Sequence, residues 1–406
     1  MQLVEPESVG LSSERLARIG EHLRNRYVEP GKIPGSLTLV ARRGQICYLE
    51  KEGHRDLERD LPVEEDTIFR IYSMSKPITS IALMMLYERG MFHLKDPVRR
   101  YIPEWSKLRV YKAGSWPLYE TEPVTTEMTI RDLLTHMSGL TYGFTRTTNV
   151  DYGYRKVGVQ VAREGYTLKD MIDELAQLPL EFQPGAAWNY SVATDVVGYL
   201  VEVISGKPFA TFLEEEIFGP LGMTDTSFSI APEKEERFAS CYMRNLDKTM
   251  GLQDDARASE FRDRSFHGGG GGLLSTMGDY YRFCQMLRNG GELDGARIIG
   301  PRTLKLMTSN HLPNGDDLTH WARGSFSETS NEGIGFGLGF ATRIDPVANA
   351  TLGSVGEFNW GGMASTLFWV DPVEDLVVIF MTQLIPSGTF DFRGQLQSII
   401  YSSIED

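Results

Sequence analysis

Thr67-Ile-Phe-Arg-Ile-Tyr72-Ser73-Met-Ser-Lys76-Pro77 is the stretch on which the reading of this chain turns. Its first six residues are β-rich, and they lead directly into Ile78 to Arg89, where apolar residues recur at helical spacing. Pro77 falls in the first helical turn, a position where proline is tolerated. A strand therefore delivers Ser73 to a helix N-terminus, and a separation of three residues puts Lys76 on the same helical face, roughly 5 to 6 Å away. A serine hydroxyl is a weak nucleophile. An amine whose pKa is lowered by burial or by nearby cations can take its proton, and the N–H groups of a helix start favour developing negative charge. Ser-x-x-Lys also arises by chance, as a helix cap beside a solvated lysine, so the surrounding sequence has to decide.

Upstream, Leu16, Ile19, Leu23 and Tyr27 follow the capping residues Ser12 and Ser13 at helical spacing. Leu37 to Ala41 and Gln45 to Glu50 flank a tight Arg-Arg-Gly connection and predict a hairpin. Downstream the period is helical: Leu168 to Leu178 behind a Thr167-x-x-Asp170 capping box, Val192 to Ile204 stopped by Gly206, and Phe209 to Phe218. Gly337 to Ile344, Thr351 to Glu357, Ser365 to Val370 and Leu376 to Thr382 read as short strands, and a last helix carries Leu396, Ile399 and Ile400 on one face. This order predicts an α+β fold, an α/β sandwich whose antiparallel sheet is flanked by helices. Residues 1–72 and 268–406 would form that domain, 73–267 a mostly helical domain inserted in it, with the active site at their interface. Thr141 to Gly165 and His311 to Gly335 are polar and glycine-rich, candidates for site walls or mobile surface.

The composition narrows the function. With 406 residues, 41% hydrophobic and 24% charged, the chain is globular and long enough for two or three domain-sized units. Its formal net charge of −14 would repel a phosphate backbone, so nucleic acid and anionic membranes are poor partners. Three widely spaced cysteines, Cys47, Cys241 and Cys284, indicate neither a disulfide framework nor a zinc ribbon. The first residues lack the basic then apolar stretch of a secretory signal, no apolar run approaches a membrane span, and a cytoplasmic protein is expected. The seven histidines are dispersed without His-x-x-x-His spacing, so neither a metal nor another cofactor is expected.

Other segments could meet at Ser73. Gln183-Pro-Gly-Ala-Ala-Trp-Asn-Tyr190-Ser-Val192 is a Pro-Gly turn that delivers a tyrosine just ahead of a helix, and a phenol near Lys76 could relay protons. In Asn359-Trp360-Gly-Gly-Met363 the paired glycines let backbone approach a ligand closely, or simply make a tight bend. His136 lies in a Thr-His-Met-Ser-Gly turn. Gly268 to Gly272 lacks the Lys-Ser or Lys-Thr of a phosphate loop and reads as close packing. Trp105, Trp188, Trp321, Tyr142 and Phe144 are either walls of an apolar acyl pocket or ordinary packing aromatics. No Gly-x-Ser-x-Gly occurs, which disfavours an α/β-hydrolase.

Taken in order, Ser73-Met-Ser-Lys76, Leu133-Leu-Thr-His-Met-Ser-Gly-Leu140, Pro184-Gly185 leading to Tyr190-Ser-Val192, Pro220-Leu-Gly-Met-Thr-Asp225, Gly269 to Asp279 and Trp360-Gly-Gly362 resemble the serine β-lactamase and penicillin-binding-protein superfamily. More narrowly they resemble the family VIII carboxylesterases. The resemblance implies Ser73 as the acylated nucleophile, Lys76 and Tyr190 as the proton-handling pair, and the backbone N–H groups of Ser73 and Met363 as the oxyanion hole. Trp360, Gly361, Gly362 and Val192 would bind substrate. Two departures from similar β-lactamases matter. Tyr190-Ser-Val192 stands where they usually have Tyr-x-Asn, and Trp360-Gly-Gly362 stands where they have Lys-Thr-Gly, removing the cation that commonly meets a β-lactam carboxylate. Both changes recur in the esterase branch and suit a small neutral ester. The leading expectation is a serine esterase acting on a small-molecule ester. A β-lactamase or D-amino-acid peptidase, an acyltransferase to an alcohol, and a catalytically silent binding protein are the alternatives. Arg155 or Arg163 could reach the site and restore the missing charge.

Overall fold

A computed structural model describes residues 1–161, 163–323 and 328–406. Eight antiparallel strands form the main sheet: β1 (Gly35–Arg42), β2 (Gln45–Asp56), β3 (Leu61–Pro62), β4 (Ile334–Phe336), β5 (Ala341–Arg343), β6 (Phe358–Gly361), β7 (Leu367–Asp371) and β8 (Leu376–Met381). Their spatial order is β4-β5-β6-β7-β8-β1-β2-β3, so the amino-terminal hairpin completes a sheet begun by the carboxy-terminal strands. The β1–β2 hairpin turns at Arg43 and Gly44, with Arg42 opposite Gln45.

Every residue of β1 and β8 is buried, because helices cover both faces of the sheet. Side chains alternate between these faces with the strand period of two. Val40, Trp369, Val378 and Phe380 pack with Ile19 and Leu23 of α1 (Arg18–Leu23) and with Leu396 and Ile400 of the last helix, Phe392–Tyr401. Leu39, Ala41, Phe368, Ile379 and Met381 face Ile78 and Ile81 of α2 (Ser75–Glu88) and Tyr280 and Phe283 of the helix Met277–Arg288. The Tyr280 and Phe368 ring centres lie 5.3 Å apart. Burying such a side chain contributes about 1.5–3 kcal/mol.

Two strand assignments differ from the sequence reading. Gly337 to Ile344 is not one strand, since β4 and β5 form a hairpin whose turn passes through Gly339 at φ 91°. Thr351 to Glu357 is irregular and the strand begins at Phe358. The buried Arg343 guanidinium holds that segment by bonding Asn349 Oδ1 and Thr351 Oγ1 at 2.7 Å each and the Glu357 carboxylate at 3.2 Å. The side-chain bonds it makes outweigh β propensity.

The middle of the chain is mostly helical, apart from the Arg109–Ser115 and Leu118–Pro123 hairpin and the antiparallel pair Cys241–Arg244 and Met250–Asp254. Capping boxes start three of its helices, at Thr129 with Asp132, Thr148 with Asp151 and Thr167 with Asp170, each cap contributing about 1 kcal/mol. The helix α3 (Ala193–Ser205) ends at Gly206 in the left-handed region. One hydrophobic cluster runs without a break from Leu39 in the sheet to Leu200 and Phe209 in the helical part. The three cysteines are buried and unpaired. Among the described residues no single helix is long and apolar enough to cross a membrane.

Candidate active site

Ser73 sits in the short turn Tyr72–Met74 that runs straight into α2. Tyr72, just before it, holds φ at 41°, a left-handed conformation that a bulky residue keeps only where its surroundings over-determine it. Lys76 lies one turn on, with Nζ 3.1 Å from Ser73 Oγ and 2.5 Å from the Gly270 carbonyl. Tyr190, three residues before α3, donates its phenol to Ser73 Oγ at 2.7 Å. The helix packing thus brings Ser73, Lys76 and Tyr190 together. Lys76 is 1% exposed and its Nζ stands 4.5 Å from the Tyr190 ring centre.

Burial pushes the Lys76 ammonium down to about 8, against the pull of the Asp195 and Glu328 carboxylates toward the charged form. About a tenth of the Lys76 side chains are therefore neutral at pH 7 and able to accept a proton, against well under a thousandth for an ordinary lysine. Burial and the Glu328 charge move Tyr190 the other way, well above the ordinary phenol range, so its proton stays on and is available to donate. Burial and Lys76 together hold His136 well below its ordinary range. Its neutral ring lies 4.9 Å from the Tyr190 ring, with Nδ1 3.2 Å from Ser191 Oγ, so it supports Tyr190.

The glycine run completes the arrangement. Gly270 N–H donates to Asp195 Oδ1 at 2.8 Å, and the Gly269 carbonyl accepts the Thr79 hydroxyl at 2.8 Å. A Cβ on Gly270 would stand 2.6 Å from Asp195 Oδ2, so this backbone threads between α2 and α3 only without side chains. Asp195 also accepts the Gln160 amide at 2.6 Å. Sequence reasoning missed Asp195 and Glu328. In the sequence Asp195 is only an acidic residue in the first turn of α3, which suits any helix start. Glu328 lies within the polar stretch singled out as a possible site wall.

A model of the beta-lactamase family matches residues 23–397. The chain belongs to the beta-lactamase family. An uncharacterised protein of Mycobacterium tuberculosis is 34% identical over 367 residues, 89% of each chain. Esterase EstB of Burkholderia gladioli is 30% identical over 401 residues, 95% of each. The solved structure of EstCE1, a hydrolase with promiscuous acyltransferase activity, superposes with a TM-score of 0.79 at 25% identity, covering 97% of this chain and 99% of that one.

In this member of the beta-lactamase family a cavity of about 350 Å³ opens over Ser73, walled by Tyr72, Tyr142, Phe144, Phe266, Glu328 and Met363 among others. Tyr142 and Phe144 therefore line the site. Trp105 instead donates its indole N–H to the Ile172 carbonyl, and Trp188 is buried behind Tyr190 with ring centres 6.3 Å apart. Trp321 donates to Asp316 Oδ2 at 3.1 Å and is absent from the cavity wall.

The four residues read as substrate-binding do not form that wall. Val192 is wholly buried in the core, and Trp360 is 1% exposed with its ring centre 5.5 Å from that of Tyr190. Gly361 and Gly362 sit behind, where a Cβ would meet Glu328 Oε2 at 2.5 Å and the Ile71 carbonyl at 2.4 Å. These positions shape the site by supporting Tyr190, Glu328 and the turn before Ser73. Arg155 is held by Asp151 and Arg163 by Glu174, so neither supplies a cation to the cavity. Among the described residues, no group of three or more His, Cys, Asp or Glu side chains is placed to hold a metal ion.

Proposed function

We propose that this beta-lactamase-family hydrolase is a serine carboxylesterase that works through a Ser73 acyl-enzyme. The observation that carries the reading is the double contact on Ser73 Oγ, with Tyr190 at 2.7 Å and a Lys76 amine of lowered basicity at 3.1 Å. The neutral Lys76 amine takes the Ser73 proton as Oγ attacks the ester carbonyl. Tyr190 passes a proton to the departing alkoxide and recovers one from the water that cleaves the acyl-enzyme, while the Lys76 ammonium returns its proton to Ser73 Oγ as the acyl group leaves. Ser73 and Met363 both line the cavity, and their backbone N–H groups serve as the oxyanion hole. Apolar rings around Ser73 and the absence of a cation in the Trp360-Gly361-Gly362 segment suit small carboxylic esters better than β-lactams.

Similarity to EstCE1 supports a second reading, in which an alcohol replaces water as acyl acceptor. Turnover of nitrophenyl butyrate with and without an added alcohol separates the two by its products. Labelling with a phosphonate followed by peptide mapping tests the nucleophile. The adduct is expected on Ser73; an adduct on Ser75 or Ser191, or full activity in Ser73→Ala, would overturn the assignment.

A further inference from the structure

A second cavity, of about 590 Å³, is larger than the one over Ser73 and shares no wall residue with it. Its floor is the main sheet. Thr342 of β5 stands opposite Phe358 of β6, and Phe358 opposite Val370 of β7, so the three side chains share one face. The end of the helix Met277–Arg288 supplies one wall, through Leu287 and Arg288. The helix Pro301–Met307 supplies another. It presents Pro301, Leu304, Lys305 and, just past its last turn, Thr308, which stand at i, i+3, i+4 and i+7 and so on one helical face. Val355, 61% exposed, adds apolar surface to the wall. A largely apolar cavity of this size with a few polar groups has the form of a small-molecule site.

The polar groups decide the ligand. Although the chain holds 55 Asp and Glu, none lines this cavity among the described residues. Three cations do. Arg288 is engaged by Asp375, Nη2 to Oδ2 at 2.6 Å, and Arg343 by Glu357 at 3.2 Å, whereas the Lys305 ammonium meets no carboxylate among the described residues. Thr342 is 2% exposed, yet its hydroxyl makes no hydrogen bond among the described residues, and a buried hydroxyl left so is costly. An unmatched ammonium and an unsatisfied hydroxyl over an apolar floor are complementary to a carboxylate that carries an alkyl chain. We propose that this cavity is a second binding site, for an alkyl carboxylate whose chain lies on Phe358, Val370 and Leu304 and whose head group is held by Lys305 and the Thr342 hydroxyl. The inference stands apart from the Ser73 chemistry.

The probe is decanoate, with decanol as its neutral and decyltrimethylammonium as its cationic counterpart. Each is titrated calorimetrically into protein whose Ser73 cavity has been filled by phosphonylation. One decanoate per chain is expected, bound about tenfold or more tightly than either counterpart. Lys305 lies on the exposed side of its helix, so Lys305→Glu should fold. It should weaken decanoate by about tenfold or more and leave both decanol binding and nitrophenyl butyrate turnover unchanged. Thr342→Val keeps the shape of the side chain and should weaken decanoate about threefold with decanol unaffected. No binding of decanoate, equal affinities for the three probes, or undiminished decanoate binding in either variant would overturn the inference. Should the protein take up no phosphonate, the esterase reading fails but the site is still tested. The same titrations are then made on the unmodified protein, and loss of binding in Lys305→Glu assigns the site, because Lys305 is not part of the Ser73 cavity.

Discussion

The carboxylate of Asp195 accepts the backbone N–H of Gly270 at 2.8 Å. The carbonyl of the same glycine takes the Lys76 ammonium, so one residue ties a carboxylate on α3 to an amine on α2. Gly270→Ala would press a Cβ to within 2.6 Å of Asp195 Oδ2. We expect a loss of about 1–3 kcal/mol in stability and a larger relative loss in kcat, because Lys76 is displaced with the backbone. Calorimetry and ester turnover on one sample check this; an unchanged Tm would show that the site relaxes freely.

If Lys76 must be neutral to accept the Ser73 proton, kcat rises with pH and levels off above about 8, where the buried amine has lost its charge. The Asp195 carboxylate favours the ammonium form, so Asp195→Asn should move the ascending limb to lower pH. Stability follows the same group. Its folded pKa of about 8 lies below the ordinary 10.5, so between those values the folded state holds fewer protons, and Lys76 makes the fold more stable as pH rises through that window. A pH–rate profile that is flat from 6 to 9 would exclude Lys76 as the base.

Tyr190→Phe removes the 2.7 Å bond to Ser73 Oγ while keeping the ring among His136, Tyr142 and Trp360. We expect kcat to fall by about 10² to 10⁴ with KM little changed and the Tm near that of the parent. Early melting with wild-type kcat would make Tyr190 a packing residue.

Short-chain nitrophenyl esters should be hydrolysed with a higher kcat/KM than a chromogenic cephalosporin. The cephalosporin carboxylate must leave water, Arg155 and Arg163 are both paired elsewhere, and Arg264 in the cavity wall faces Glu260 at 3.5 Å. Steady-state kinetics with both substrates settle the point; a preference for the cephalosporin contradicts the ester reading.

Arg343 and Glu357 are 1% and 0% exposed and face each other in the core. Arg343→Leu leaves the buried carboxylate to the Gln397 amide and the Tyr401 hydroxyl alone and should cost about 3–5 kcal/mol, whereas pairing it with Glu357→Leu should restore part of the loss. Urea denaturation of both variants checks this.

The parts of the site that the sequence discloses are those whose geometry is local or marked by turn residues. Ser73 and Lys76 are one helical turn apart, and Tyr190 follows a Pro-Gly turn ahead of a helix. Likewise the β1–β2 hairpin is written in its connection. Glu328 is placed by a chain reversal far from Ser73 in sequence, and nothing in its own neighbourhood marks it as buried. Thr351 to Glu357 was misread because its extended-looking composition yields to Arg343, a partner that only tertiary structure supplies. Val192 and Trp360 were recognisable as departures from a motif, but not as packing residues, since burial is invisible in a tripeptide.

The seam between β8 and β1 bears on how the protein is made. Leu37 pairs with Met381, and the Thr382 hydroxyl donates to the Gly35 carbonyl across 347 residues of sequence. During synthesis the β1–β2 hairpin is made first and waits for its neighbour while the 347 residues that separate Gly35 from Thr382 are added. Such closure of a very long loop slows folding, and until it happens the edge of β1 lies open to other nascent chains. Recombinant yield should therefore respond to translation speed and chaperone supply more than to the stability of the finished fold.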